Sequence, residues 1–423
     1  MKQISQRILN EFDFAVTEGL ASVYLDDPTS ETMAEPVNGP LSSLLNELTE
    51  TTPDHQATAH AEATASATAA TSYVSLTPGS ADIETLLNTT NDGTLPHKDA
   101  QHIKNIYEKY PKSITDTARR VLVALNSSHP LETAHIGLLE TLSAKVRDKK
   151  ASLPPNVLDG VTSIAILARL SKLPNLIHAR HIIETVKLGL SEENIKNLVV
   201  IYRNNPQLIG DSFAAVLRSI NGRISREPIC RALVETISIK LKEAPQQQTP
   251  SQSASLNGIT DVEMLAILSS VPGLIRAEHI THSFSRSQFP ELDAVHIRKI
   301  YMNCPALVAG SVSVVLKKIN NHMHTAYDCR LLVDMITELT LVGKSTLKST
   351  DLEHICMATL ASLCKVPHLV QPRHVLNAFG KTPDELQMGM DITALRTIYQ
   401  ECPRLISLTL HHILLILNRL PKE

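Results

Sequence analysis

Hydrophobic and polar positions along this chain fall into one pattern that is written four times. The stretches IYEKYPKSITDTARRVLVALN, IYRNNPQLIGDSFAAVLRSIN, IYMNCPALVAGSVSVVLKKIN and IYQECPRLISLTLHHILLILN align without gaps. Ahead of each Tyr, apolar residues stand four and seven positions back: Ile103 and Ala100, Leu198 and Ile195, Ile297 and Ala294, Leu395 and Ile392. That spacing predicts a helix with one buried face. Pro111, Pro206, Pro305 and Pro403, four residues after Tyr107, Tyr202, Tyr301 and Tyr399, end it, because proline lacks the N–H and its ring clashes with the preceding turn. Pairs such as Leu208-Ile209 and Leu307-Val308 then tuck the connection inward. A second helix follows, with apolar residues one, four, five and eight positions before an Asn, as in Phe213, Val216, Leu217 and Ile220. The aligned Asn126, Asn221, Asn320 and Asn418 suit a left-handed helix-ending position, and Gly222 follows one of them.

Two further signals interleave. Pro174, Pro272 and Pro367 are each followed seven residues later by His181, His279 and His374, and Glu140, Glu235 and Asp334 each lie fourteen residues past an Asn. The unit therefore contains about five helices: one after the first Pro, one ending at the Tyr, one ending at the Asn, one around Glu235, and one leading into the next Pro. Tyr spacings of 95, 99 and 98 set its length. Nothing alternates as a strand would. Helical units that cannot close their own apolar faces must stack, so the expected fold is all-α: an extended, right-handed-type α-solenoid of about three and a half repeats, with a concave surface and a disordered N-terminal arm. The expected divisions are an amphipathic helix in 1–27, an acidic Ala/Thr/Ser linker over 28–79, and repeats at 80–173, 174–271, 272–366 and, in part, 367–423. In the arm, Ile4, Ile8, Leu9, Phe12, Val16 and Leu20 have helical spacing, a short helix is expected near SSLLNEL, and the linker has too few large apolar residues to offset ordering entropy. APQQQTPSQSASLN, at 244–257, reads as a loop insertion.

Composition supports this picture. The chain has 423 residues, 43% of them hydrophobic but only 3% aromatic, with no Trp, which favours helix-on-helix packing. Six Cys without a C-x-x-C pair point to a reducing compartment, with Cys230, Cys304, Cys329 and Cys402 as small packing residues. Glu11 and Asp13 interrupt any signal-peptide core, and no run is long enough to span a membrane. The reading is a soluble intracellular chain, cytoplasmic or exported like an effector without a cleaved signal. The net charge of −3 conceals an asymmetry: residues 1–100 carry 3 Lys and Arg against 15 Asp and Glu, which leaves the rest at +9. The arm is thus expected to fold back and mask the basic body.

The prolines that open helix connections, Pro111, Pro174, Pro206, Pro272, Pro305, Pro367 and Pro403, are separated by steps close to multiples of about 32, with every third slot empty. This spacing resembles the motif of the mitochondrial transcription termination factor (mTERF) family, and the resemblance implies a helical superhelix with a groove for RNA or DNA.

Candidate chemistry is thin. GKSTLKST, at 343–350, has Glu338 where a phosphate loop needs Gly, and reads as an inter-helix loop. His181, His279 and His374 occur once per unit, too far apart to share a metal, and suit inter-helix hydrogen bonds or a recurring ligand contact. His279 and His282 lie three apart, but no Cys or carboxylate is placed to complete a set. Arg218 aligns with Lys317, Lys318 adjoins, and Arg223, Arg226, Arg231 and Arg330 lie nearby, as either a phosphate-contacting stripe or a solvated helix face. No Gly-flanked nucleophile appears. The expectation is a non-enzymatic scaffold without cofactor or metal that binds a protein partner on its concave face, with RNA or DNA binding as the alternative.

Overall fold

The computed structural model describes residues 77–418 other than 90–92, 129, 155, 244–255 and 380–384. The amphipathic helix expected in 1–27, the SSLLNEL helix, nearly all of the linker and most of the 244–257 insertion lie outside the described residues. Among the described residues there are eighteen α-helices and no strand. The chain is an all-α solenoid whose helices pack neighbour to neighbour.

The helices are α1 (Ser80–Thr89), α2 (His97–Lys109), α3 (Ser113–Asn126) and α4 (Thr133–Arg147) in the first unit. The second unit, counted from the helix that ends before Pro174 and so starting about ten residues ahead of the expected division at 174, as the later units likewise start ahead of theirs, holds α5 (Ile164–Leu170), α6 (Ala179–Lys187), α7 (Glu192–Asn204), α8 (Ile209–Ile220) and α9 (Pro228–Glu243). Its counterpart, the third, holds α10 (Val262–Leu268), α11 (Ala277–Ser285), α12 (Pro290–Asn303), α13 (Val308–Ile319) and α14 (Tyr327–Leu341). Last come α15 (Met357–Leu363), α16 (Pro372–Ala378), α17 (Glu385–Glu401) and α18 (Arg404–Asn418). Starts and stops follow local chemistry. The Ser191 hydroxyl accepts from the Asn194 N–H and caps α7, Asp261 does the same for α10 through the Met264 N–H, and Pro290 and Pro372 occupy first helical turns where a missing N–H costs nothing. Pro206 and Pro305 each open a single 3₁₀ turn, Pro206–Leu208 and Pro305–Leu307, that leads directly into α8 and α13.

Packing arranges these helices in two tracks. In one, α2, α4, α5, α7, α9, α10, α12, α14, α15 and α17 each pack on the next. In the other, α1 packs on α3, α6 on α8, α11 on α13 and α16 on α18, with one short turn between successive pairs. Those turns carry the buried aliphatic pairs Leu158 and Val161, Leu256 and Ile259, and Leu352 and Ile355. Each joins the helix that follows: Asp159 pairs with Arg180 at 3.1 Å, the Ile259 carbonyl accepts from Ser283 at 2.8 Å, and Ser349 accepts from Arg373 at 3.1 Å. Every step of about 32 residues thus contributes one element to each track, and every third step contributes a turn where its neighbours contribute a helix. This accounts for the empty proline slots: after α4, α9 and α14 there is no second-track helix for a proline to open.

Buried polar groups tie the tracks together. The four aligned Tyr hydroxyls meet Thr117, Ser212, Ser311 and Thr409 at 2.9, 2.8, 2.7 and 2.6 Å. Each Ser or Thr hydroxyl already donates to the carbonyl four residues back, so the Tyr is the donor and the chain of bonds is complete. Burial pushes the Tyr107, Tyr202 and Tyr301 phenols far above their ordinary pKa, so they stay protonated as donors.

The aligned Asn residues differ from expectation. Asn221 and Asn320 have φ of −58° and −49°, and Asn126 is the last residue of α3, so none is left-handed. Instead the side chain reaches to the start of the next unit. Asn126 Oδ1 accepts the Thr162 and Ser163 N–H groups, both at 2.8 Å; Asn221 Oδ1 accepts those of Thr260 and Asp261 at 3.0 and 3.1 Å; Asn320 Oδ1 accepts that of Cys356. These N–H groups lie at the open ends of α5, α10 and α15, where no intrahelical acceptor exists. Left-handed φ falls instead on Gly222, the residue after Asn221, and recurs at Asn175, Gly273 and His368, each directly after the Pro of the second motif.

No single described helix is long and apolar enough to cross a membrane. Helices α12 and α13 pass that test only together, and they are bent by 118° where they meet.

Candidate interaction face

The aligned histidines serve their own helices. Nδ1 of His181, His279 and His374 accepts the backbone N–H of His178, Arg276 and Gln371, each at 3.1 Å, which caps α6, α11 and α16 from the third helical position. The contact common to all three is therefore local, not the inter-helix bond their recurrence suggested. All three rings are buried, and burial pulls the His181 and His374 pKa below the usual imidazole value, with the adjacent Arg180 and Arg373 adding to the effect. The same device recurs at a different place on α4, where His135 accepts from Glu132 N–H at 3.0 Å and its other nitrogen meets the Leu95 carbonyl at 2.7 Å.

The basic residues divide. Arg223 forks onto Glu227, Nε to Oε1 at 2.9 Å and Nη2 to Oε2 at 2.6 Å, while Nη1 donates to the Leu190 carbonyl at 2.9 Å. Lys318 donates to the Ser285 carbonyl at the end of α11, at 3.1 Å, where a cation complements the helix dipole. Arg231 pairs with Glu263, and the Arg330 guanidinium lies 5.9 Å from the centre of the Tyr327 ring. Arg218 and Lys317 hold equivalent exposed positions on α8 and α13. Arg223, Lys318, Arg231 and Arg330 are thus each engaged with a neighbouring group.

A shallow, open depression at the ends of α5 and α7 is lined by Ser171, Lys172, Asn175, Asn204, Asn205 and Gln207, with Pro174 at its edge. Its polar groups form a joint that repeats. Asn204 Nδ2 donates to Ser171 Oγ at 2.7 Å and Asn205 Nδ2 to the Ser171 carbonyl at 2.7 Å. One unit later, Asn303 donates to Ser269 Oγ at 2.9 Å and the Cys304 thiol to the Ser269 carbonyl at 3.4 Å; in the last, the Cys402 thiol meets the Cys364 carbonyl at 3.2 Å. The cysteines before proline are thus donors at this joint as well as packing groups. All six cysteines are free, and among the described residues no three His, Cys, Asp or Glu side chains converge as a metal set.

What distinguishes one unit from another lies on the outer surface of the first track. On α12, Leu292, Val295 and Met302 face outward, and Leu292 and Met302 are 65% and 67% exposed. The equivalent residues are Glu193, Lys196 and Arg203 on α7, and Lys98, Gln101 and Glu108 on α2. On the neighbouring α14 and just beyond it, Leu341 and Val342 are 49% and 64% exposed, where the second unit has Lys242 and Glu243 and the first has Arg147 and Asp148. Phe289, 59% exposed before α12, takes the place of the buried Leu95 and Leu190. Arg298 of α12 pairs with Asp328 in the first turn of α14 at 3.7 Å, which ties the two helices together. Exposed apolar residues scattered singly need no explanation, but five replace charged or polar residues at matched positions of two packed helices, while the exchange runs the other way at Val200 and Ile239, where the third unit has Lys299 and Glu338. The last unit shares this only weakly, with Met390, Thr393 and Gln400 at the α12 positions. A second apolar exposure, on α18, is of another kind: Leu414 matches Leu122, Leu217 and Leu316, all fully buried under the helices that follow them.

Sequence reasoning overlooked this patch, although its signal was present: it emerges when the outward positions of the aligned copies are compared in place of the shared ones. The hydroxyl ten residues after each Tyr was legible in the same way. The comparisons with known proteins find no matching family model, no matching curated protein and no matching solved structure. The helical-repeat fold stands on the structure, and the likeness to the mTERF family rests on its proline spacing alone.

Proposed function

We propose that this chain is a non-enzymatic helical-repeat scaffold whose third unit binds a protein partner through the outer surface of α12 and α14. The observation that carries this reading is the substitution of Leu292, Val295, Met302, Leu341 and Val342 for charged and polar residues at matched exposed positions. Exposed aliphatic side chains of this kind suit a protein surface, in which such anchors are desolvated. A phosphate backbone would instead call for Lys and Arg at those positions. Arg223 and Lys318, two of the cations that a nucleic-acid reading would use, are engaged with Glu227, Leu190 and Ser285.

The test places a photo-crosslinking amino acid at position 292, 302 or 341, and in parallel at the matched positions 193, 203 and 242, in cells that make the full chain. The expected result is a discrete protein adduct from the third-unit positions that survives nuclease treatment, with none from the second unit. Adducts that are equal at both sets of positions, or that disappear with nuclease, would overturn the reading.

A further inference from the structure

Matched exposed positions also set the first unit apart from the others, by charge. Lys109 and Lys112 flank the turn between α2 and α3, and Lys145, Arg147, Lys149 and Lys150 stand at the end of α4 and just beyond it. Lys145 Nζ donates to the Glu108 carbonyl at 3.4 Å, and the Thr115 and Ser152 hydroxyls meet at 3.4 Å, so the two stretches lie against each other and their cations share one surface. All but the half-buried Lys145 are exposed. At the equivalent positions the second unit keeps Lys240 and Lys242 alone, and the third keeps only Lys344. We infer that this first-unit surface is a second docking site, independent of the α12–α14 face, and that it takes an acidic stretch of a protein.

Folding does not call for these cations. Basic residues at a helix C-terminus complement its dipole, but α14 ends equally well with Leu339 and Leu341 in place of Lys145 and Arg147. Lys149 goes further. Its φ is 56°, in the left-handed region, where the third unit has Gly343 at 72°. Glycine adopts that conformation freely and a side chain only at a cost, so a lysine kept there sets charge against stability. Nor do nearby carboxylates neutralise the surface. Glu108 pairs with Lys104 at 3.8 Å, and Asp116 accepts from the Thr77 and Ser80 hydroxyls. Among the described residues no carboxylate pairs with Lys109, Lys112, Arg147, Lys149 or Lys150.

The donors fit carboxylates better than a phosphate backbone. A phosphate is ordinarily fixed by an arginine fork or by free N–H groups at the start of a helix. Here the first three N–H groups of α3 already donate to the carbonyls of Tyr110, Pro111 and Lys112, at 3.0 to 3.1 Å. All the cations but Arg147 are lysines, point charges on flexible stems that respond to the amount of negative charge more than to its placement. A run of Asp and Glu side chains, each on its own mobile stem, needs no fixed cradle.

The experiment uses the full chain, with a fluorescent oligoglutamate peptide of about ten residues as the probe and a DNA duplex of equal charge beside it. Lys112→Ala/Arg147→Ala/Lys150→Ala is expected to weaken peptide binding at least ~10-fold. Arg203→Ala/Lys240→Ala/Lys242→Ala removes as many cations from the second unit and is expected to change it less than ~2-fold. Lys149→Gly is expected to raise the unfolding midpoint while weakening peptide binding ~2-fold, a pairing that a purely structural lysine would not give. Equal losses from the two triple variants, or an affinity that Lys149→Gly leaves unmoved, would overturn the proposal. So would a duplex that binds more tightly than the peptide and is lost with the first-unit variant, which would assign the surface to phosphates. Crosslinks from positions 292 and 302 test the third-unit face separately, whichever way this experiment falls.

Discussion

The second and third units share one skeleton and differ in the surface they present. In both, a buried Tyr donates to a hydroxyl ten residues on, an Asn crosses to the next unit, and a capping His accepts the N–H three residues before it. Outward, Glu193, Lys196 and Arg203 of α7 give way to Leu292, Val295 and Met302 of α12. Inward positions are held by geometry, because each buried donor or acceptor left without its partner costs about 1–3 kcal/mol. Outward positions carry no such penalty and are free to specialise. Where two copies agree at buried positions, the agreement reports folding; at exposed positions folding imposes no such agreement.

Several substitutions test whether the shared part is as equivalent as this comparison requires. The largest effect is expected at the unit junction. Asn221→Ala strands the Thr260 and Asp261 N–H groups and should cost about 2–4 kcal/mol in denaturant unfolding, while Asn320→Ala, which strands only that of Cys356, should cost roughly half as much. Equal losses would show that the Asn acts through packing alone. A smaller effect, about 1 kcal/mol each, is expected for Tyr202→Phe and Tyr301→Phe, since the partner hydroxyl keeps its bond to the carbonyl four residues back. Costs differing by more than ~0.5 kcal/mol would break the equivalence of the two units.

The smallest effect concerns pH. Burial lowers the folded-state pKa of His181 and His374, so the unfolded chain binds protons more readily, and stability falls as pH drops below about 6.5, the imidazole's ordinary value. His181→Gln keeps an acceptor at the same helical position without titrating, and should flatten part of that loss while leaving stability near pH 8 little changed. An unchanged slope between pH 7 and 5 would remove His181 from the account.

The five-helix unit was legible in the sequence because long one-faced helices punctuated by proline leave a strong periodic signal, as in Ile195, Leu198 and Tyr202 before Pro206. The second-track turns were not legible. A single turn that buries two or three residues, such as Val157, Leu158 and Val161, is too short for any period to register, and the empty proline slots were its only trace. The Asn residues were placed at the right helix ends but given the wrong work, because spacing reports where a side chain lies and not which backbone 36 to 40 residues away it meets. The histidines misled in the same way: recurrence suggested a contact between helices, and the bond they share is within three residues.

The central claim, that the third unit's outer surface is specialised for a partner while its interior is not, is tested most directly by exchange. Leu292, Val295, Met302, Leu341 and Val342 are replaced together by their second-unit counterparts, Glu, Lys, Arg, Lys and Glu, and the full chain is assayed for thermal unfolding and for the protein adduct captured from position 299, a site on α12 left unaltered. The account predicts an unfolding midpoint within a few degrees of the original and loss of the adduct. An adduct that persists in the exchanged chain, or a third unit that no longer folds, would contradict it.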